Sequence, residues 1–245
     1  MSKQKLKRFA EFADYPHTFD FAYQLKGKWN EVVFKNNHPI VLELGCGKGE
    51  YTVALAHENP EKNFLGLDIK SNRMWVGAKK ALENNMSNVG FMRALMDRIS
   101  ELFAPGEVSE IWITFPDPFI RHRSAKHRLT HTRFLRLYKQ ILRPDGVVNF
   151  KTDSDELFAF TQNMLQYLNI TPEIVDYNVH ANPEAEPMLK NVRTYYENLF
   201  LKRGKTIKFT RFKLDNLQDD KAVLFEAWFE SERLKMVAEG KSTGL

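Results

Sequence analysis

Between residues 40 and 151 the chain repeats one pattern: a short apolar run, a break rich in Gly, Asp or Asn, and a helical segment. The runs are Ile40-Val41-Leu42-Glu43-Leu44, Asn63-Phe64-Leu65-Gly66-Leu67-Asp68, and residues 89–94, 110–115 and 146–151. Near-continuous apolar strands that alternate with helices belong to parallel sheets with both faces covered. The expected fold is therefore α/β, doubly wound and mostly parallel. The 245 residues suffice for one large domain of that kind.

Ser71 is placed as the N-cap of a helix through Leu82, and Pro144-Asp145-Gly146 as a turn. A helix carrying Phe134, Leu135, Leu137, Tyr138, Ile141 and Leu142 separates the last two strands. Beyond residue 152 come another helix and two apolar stretches, 174–179 and 207–212, read as edge strands. Residues 217–237 read as a terminal amphipathic helix. Residues 1–37 read as a basic and aromatic arm with a loose end, 38–214 as the main domain, and 215–245 as a helical extension.

Glu43-Leu44-Gly45-Cys46-Gly47-Lys48-Gly49 lies where the first strand meets the first helix, the ligand-binding edge of such sheets. Glycines there permit positive φ and close approach of backbone to ligand. The dinucleotide fingerprint is G-x-G-x-x-G, whereas these glycines run G-x-G-x-G behind an acid that would repel a pyrophosphate. An acid suits a cationic ligand such as S-adenosylmethionine, with its α-amine and sulfonium. Asp68 ends the second strand about twenty residues past Gly45, the spacing at which a carboxylate meets a ribose diol. Cys46 has no His nearby in sequence to activate it, so it reads as a small buried residue. As the single cysteine, in a chain with no apolar leader, it points to a soluble cytoplasmic protein.

Phe115-Pro116-Asp117-Pro118-Phe119 holds one carboxylate between two prolines, which restrict the backbone on both sides of it. The run 121–136 follows with six Lys/Arg (Arg121, Arg123, Lys126, Arg128, Arg133, Arg136), three His (His122, His127, His131) and no acid. Residues 1–8 carry four more basic groups and 202–213 carry six, again without acids. Three such patches point to a polyanion and hence to chemistry on a nucleic acid. Phosphate or base contacts account for the three histidines better than a metal does, since no Cys or carboxylate lies within the run. Trp75 and Trp112 sit in apolar patterns and read as core.

At these residues the sequence resembles the bacterial tRNA (guanine-N7-)-methyltransferases, which carry a similar Phe-Pro-Asp-Pro-Trp followed by a basic stretch. Phe150-Lys151-Thr152-Asp153 and Thr194-Tyr195-Tyr196-Glu197 extend the match in the family's order. The resemblance implies a class I S-adenosylmethionine-dependent methyltransferase fold, Rossmann-like with a seven-stranded sheet, and transfer to N7 of guanine 46 in the variable loop of tRNA. It implies cofactor positions at Glu43, Gly45, Gly47, Asp68, Leu95 and Asp117, with Asp117 also catalytic. Arg121, Asp153, Thr194 and Glu197 fall where the family handles substrate. Arg123, Lys126, His127 and Arg128 match its RNA-contact segment, and no metal is implied. The product cofactor would be S-adenosylhomocysteine.

Four positions depart from the family: Asp68 for Glu, Phe119 for Trp, Arg121 for Lys, and Leu95 for an Asp near the adenine. Either a backbone amide at Leu95 or the carboxylate of Asp97 would serve the adenine. Asp153 reads equally as a substrate ligand or as the N-cap of the next helix. Two other functions fit the residues: a methyltransferase for another RNA, a protein or a small molecule, and an RNA-binding protein without catalysis. A monomer and a homodimer are both compatible with the sequence.

Overall fold

The computed structural model describes residues 3–238. Eight strands form its sheet: β1 (Thr18–Asp20), β2 (Ile40–Leu44), β3 (Asn63–Asp68), β4 (Val89–Arg93), β5 (Val108–Thr114), β6 (Leu142–Thr152), β7 (Ile174–Asp176) and β8 (Lys208–Lys213). Their order is β1-β4-β3-β2-β5-β6-β8-β7, and β8 runs antiparallel to both neighbours. The helices are α1 (Lys3–Asp14), α2 (Glu50–Glu58), α3 (Ser71–Glu83), α4 (Ile99–Leu102), α5 (Thr132–Ile141), α6 (Asp155–Tyr167), α7 (Pro187–Asn191), α8 (Tyr195–Lys202) and α9 (Asp219–Ala238).

Each central strand feeds two cores. Along β2, Ile40, Leu42 and Leu44 join Leu65, Leu67, Ile111, Ile113, Phe134 and Tyr138 on one face. Val41 joins Tyr51, Phe64, Phe91 and Trp112 on the other. Successive side chains point to opposite faces, so a strand buried on both sides must be apolar throughout. Glu43 alone breaks that rule in β2, and it does so at the strand's carboxyl end.

Several expectations need correction. The sheet has an eighth strand, because the arm supplies β1, which pairs in parallel with β4 at Phe91, Met92 and Arg93. From Lys3 onward the arm is helical: α1 packs on α3, with Trp75 Nε1 donating to Glu11 at 2.8 Å and the Arg8 guanidinium 4.7 Å from the Trp75 ring. The 207–212 stretch is no edge, since β8 lies between β6 and β7. Ser71 begins α3 without capping it; Asp68 Oδ1 accepts the N–H of Lys70 just ahead at 2.8 Å. Pro144-Asp145-Gly146 loops out within β6, where pairing jumps from Leu142 to Val147.

The extension packs on the domain. Leu217, Ala222 and Phe225 are buried in the main core, while Val223, Leu224 and Trp228 are exposed. Helix α9 therefore carries apolar groups on both sides and is not the one-striped helix expected. Residues 239–245 of the expected extension lie outside the described residues.

Spacing between β3, α2 and α3 is set by the Phe91 ring. A Cβ on Gly77 would come 2.7 Å from Phe91 Cζ, 2.8 Å from the Lys48 carbonyl oxygen and 3.1 Å from the Gly49 Cα. Two of these neighbours are backbone in the loop after β2, so they cannot rotate away. Gly77→Ala should cost roughly 1–3 kcal/mol, the usual range for overpacking. The check is a lower urea midpoint with an unchanged m-value; a midpoint equal to that of the native chain would show that the helices part freely.

Candidate active site

The loop Gly45–Gly49 is built on positive φ angles, +72° at Gly45, +56° at Gly47 and +70° at Gly49. Four of its five amides are used internally. Gly45 and Cys46 N–H both donate to the Leu67 carbonyl (2.8 and 3.0 Å), Gly47 N–H to Asp68 Oδ2 (3.0 Å) and Gly49 N–H to the Cys46 carbonyl (2.8 Å). A loop whose donors are spent in this way offers no anion nest, which disfavours a pyrophosphate. A Cβ on Gly47 would meet nothing within 4 Å, so the loop's outer side is open beside the Asp68 carboxylate. Open backbone and an acid at the strand end fit a cationic, ribose-bearing cofactor.

Glu43 does not reach that surface. Its carboxyl is buried beneath the loop, where Thr52 of α2 and Thr114 of β5 both donate to it, Thr114 at 2.6 Å. Desolvation pushes its pKa up to about 7 from 4.5, although both hydroxyl donors oppose the shift. Among the described residues this carboxyl braces the loop from below. Cys46 is buried and its thiol is pushed up by burial, in line with a structural role.

Leu95 follows β4 and its side chain is 44% exposed; the preceding Ala94 N–H bonds to the Asp68 carbonyl at 3.1 Å. The Asp97 carboxylate is engaged by Arg133. Gly45, Gly47, Asp68, Leu95, Asp117 and Asp153 therefore stand at the carboxyl ends of β2 to β6, along one edge of the sheet. A depression of about 710 Å³ lined by Gly27, Asn30, Ile40 and Glu107 lies at the opposite end of β2, away from all of them.

The segment after β5 is held in an unusual shape. Phe115 (φ +47°) and Phe119 (φ +43°) both adopt left-handed backbone, one on each side of Pro116-Asp117-Pro118. Such angles cost free energy for a non-glycine residue and persist only where surroundings impose them. Phe115 N–H donates to the Lys151 carbonyl at 2.9 Å. At the other end, Arg128 donates to the carbonyls of Pro118, Phe119 and Ile120. Asp117 is exposed between them, with no hydrogen bond or ion pair to another described residue.

The basic run divides in two. Arg121, Arg123, Lys126 and His127 are exposed. Arg128, expected among the RNA contacts, is buried. His131, expected at phosphate or base, is buried too: its Nδ1 accepts the Arg133 N–H at the start of α5, and burial lowers its pKa to about 4. Arg133 and Arg136 pair with Asp97 and Asp219. The side chain of His122 lies outside the described residues.

Of the expected substrate positions, Asp153 follows β6, Thr194 precedes α8 and Glu197 lies in the first turn of α8. Lys151 and Glu197 are fully buried and paired at 2.8 Å; Lys151 also donates to the Leu189 carbonyl, and His180 Nε2 lies 2.9 Å from Glu197. Glu197 is not an exposed acid; its carboxylate is engaged by Lys151 and His180. Thr194 caps α8 by accepting the Glu197 N–H at 3.1 Å. Asp153 accepts from Lys205 at 2.7 Å, and Ser154, not Asp153, caps α6. Tyr195 N–H donates to Glu50 Oε2 at 3.0 Å, which ties α8 to the start of α2. The sequence reading missed Thr52, Thr114, Lys151 and His180. Lys151 had a signal, a lone cation ending an apolar run; the other three had none at short range.

Raised to about 7, Glu43 keeps in the folded state a proton that the unfolded chain releases above about pH 4.5. Its contribution to stability is full below that pH and is lost as pH rises through about 7, a change of roughly 3 kcal/mol. Urea midpoints at about pH 5 and about pH 8 should differ more for the native chain than for Glu43→Gln. Equal differences in the two proteins would assign the pH dependence to another group.

Comparison with known proteins agrees with this geometry. Residues 37–210 match a family described as "Putative methyltransferase". The chain is 47% identical over 221 residues to the tRNA (guanine-N(7)-)-methyltransferase of Christiangramia forsetii, covering 87% of this chain and 99% of that one. It is 44% identical over 222 residues to the enzyme of the same name from Bacteroides thetaiotaomicron, covering 87% of each. Among solved structures, the 16S rRNA methyltransferase KamB superposes with a TM-score of 0.56 at 16% identity, over 74% of this chain and 90% of that one. An antibiotic-related methyltransferase gives 0.53 at 17% identity, over 74% and 89%. These two share the fold, that of class I methyltransferases. Sequence identity of this extent, over nearly the whole chain, makes it a member of the tRNA (guanine-N(7)-)-methyltransferase family.

Proposed function

We propose that this enzyme transfers the methyl group of S-adenosylmethionine to N7 of guanine 46 in the variable loop of tRNA. Family membership supports the reaction, and one local observation carries the assignment of the acceptor site. Asp117 is an exposed carboxylate without a described partner, fixed at the end of β5 and followed by the exposed Arg121, Arg123 and Lys126.

The cofactor would lie over Gly45 and Gly47, with its ribose at Asp68 and its adenine near Leu95. When bound it supplies an electrophilic methyl group on sulfur. Guanine N7 carries an unshared pair in the ring plane, so attack needs no prior loss of a proton. The protein's task is alignment, with the reacting atoms about 3–3.5 Å apart. Methylation places positive charge on the ring and makes its N1–H and amino group better donors. A carboxylate accepting from that edge binds the transition state more tightly than the ground state. Asp117 is the residue free to do so, with Asp153 beside it once Lys205 is displaced. Thr194 and Glu197 act at one remove, holding Tyr195 and the start of α8 against the site.

Arg121, Arg123, Lys126 and His127 would meet phosphates, which fix the RNA in place and leave the target base to be read at the site. In the 202–213 stretch Lys205, Lys208, Arg211 and Lys213 are paired with Asp153, Asp155, Glu186 and Glu173, which leaves the exposed Lys202 and Arg203 to add to this surface.

Labelled S-adenosylmethionine should label an unmodified tRNA transcript bearing the variable-loop guanine and leave the adenine form blank. Equal labelling of both would sink the target assignment. Asp117→Ala should lose at least about 100-fold in kcat, in line with removal of a group that stabilises developing charge, while cofactor affinity and melting hold. Full activity in that variant would remove Asp117 from the mechanism.

A further inference from the structure

The Arg128 guanidinium is oriented inward. The residue is 3% exposed, its Nε donates to the Pro118 carbonyl at 3.1 Å, and its Nη2 donates to the carbonyls of Phe119 (3.1 Å) and Ile120 (3.4 Å). The guanidinium carbon sits 4.4 Å from the centre of the Phe160 ring on α6. Carbonyls of successive residues in extended chain point in opposite directions. The left-handed turn at Phe119 breaks that alternation and lets three consecutive carbonyls converge on one planar fork.

The segment this closes runs from Pro118 through the turn His122–His127 and back to Arg128. Within it, the Ser124 hydroxyl and N–H both bond the Arg121 carbonyl, at 2.7 and 2.9 Å. Arg121, Arg123 and Lys126 are thus exposed on a loop whose neck Arg128 fastens at Pro118, one residue beyond Asp117. A phosphate could reach this guanidinium only by displacing its carbonyl partners and the ring beneath it.

We propose that Arg128 is a positioning residue: it fixes the backbone of the Asp117 loop for methyl transfer and makes no contact with RNA. The chemical consequence rests on the Asp117 reading above, whereas the claim about RNA does not. Lysine cannot replace it, because an ammonium lacks the planar fork that spans several carbonyls.

Arg128→Lys, Phe160→Leu and Arg123→Ala would be compared by kcat, KM and tRNA affinity as a function of salt. Arg128→Lys should lose about 10- to 100-fold in kcat, the scale of an ångström-sized misplacement. Its tRNA affinity should stay within about 2-fold, and the slope of log K against log salt should not change. Arg123→Ala should do the reverse, weakening tRNA binding and lowering that slope by about one. Phe160→Leu removes the ring under the guanidinium without touching any charge, and should reproduce the kcat loss in milder form at an unchanged slope. An Arg128→Ala variant whose slope falls by about one would make Arg128 a phosphate contact and overturn the proposal. Native kcat in Arg128→Lys would overturn it as well. Should the Arg128 variants not fold, Phe160→Leu decides: native kcat there also refutes the clamp. If Asp117→Ala stays active while these results hold, the Asp117 reading fails and the inward placement of Arg128 stands.

Discussion

One buried carboxyl organises the carboxyl edge of the sheet. Glu43 sits where β2 has β3 on one side and β5 on the other, opposite Gly66 and Trp112 in register. That is the point where the winding of a doubly wound sheet reverses and a crevice opens between diverging loops. Thr52 reaches it from α2 and Thr114 from β5, so one side chain joins the strand, the helix and the strand that carries the acceptor loop. Gly66 is glycine for the same reason: a Cβ there would fall 2.8 Å from both Thr52 Oγ1 and the Phe91 ring. Burial in such a place is costly for a charge and tolerable for a neutral acid with two donors.

The same economy governs the acceptor loop. Two left-handed phenylalanines place a proline-bounded carboxylate at the end of β5, and each is held by the main chain or side chain of a distant cation. Lys151 accepts the Phe115 N–H through its carbonyl, while its ammonium is buried against Glu197, 5.8 Å from the centre of the Phe115 ring. Burying an ion pair is justified where its geometry matters more than its net stability. Here it fastens α8, and with it Tyr195 and Glu50, to the strand beside the acceptor. The exposed charges do the opposite job, standing clear of the protein.

What could be read from the sequence follows from the range of each interaction. Strands β2 and β3 were legible to the residue because two dry faces demand an unbroken apolar run. The glycine loop was legible because its spacing is local. Strand β1 was not: three residues, Thr18, Phe19 and Asp20, carry no period, and only the free edge of β4 makes them a strand. The basic stretches looked alike in sequence and differ in space. Lys208, Arg211 and Lys213 find acids on other elements, Arg128 finds carbonyls, and Arg121, Arg123 and Lys126 find no such partner among the described residues. No local pattern encodes which partner waits, 8–10 residues back for Arg128 and 25 or more away for the others. The capping role of His131 was hidden for a simpler reason, since histidine is an uncommon cap beside Ser, Thr, Asp and Asn.

The short strands at the two margins of the sheet have a consequence for how copies of this protein meet one another. An unpaired strand edge offers a row of backbone groups on which a foreign strand can grow. Strand β1 is three residues long and lies between His17 at φ +57° and Phe21 at φ +45°, so the chain turns out of the sheet at both ends. Thr18 Oγ1 bonds the Phe12 and Tyr15 carbonyls and draws the strand toward α1. Strand β7, at the far margin, is equally short. Neither margin leaves a ladder long enough to seed cross-strand growth. Of the two, the first owes its protection to α1 and β1, so shortening the amino terminus would expose the full length of β4 and turn a self-limited sheet into a template for aggregation.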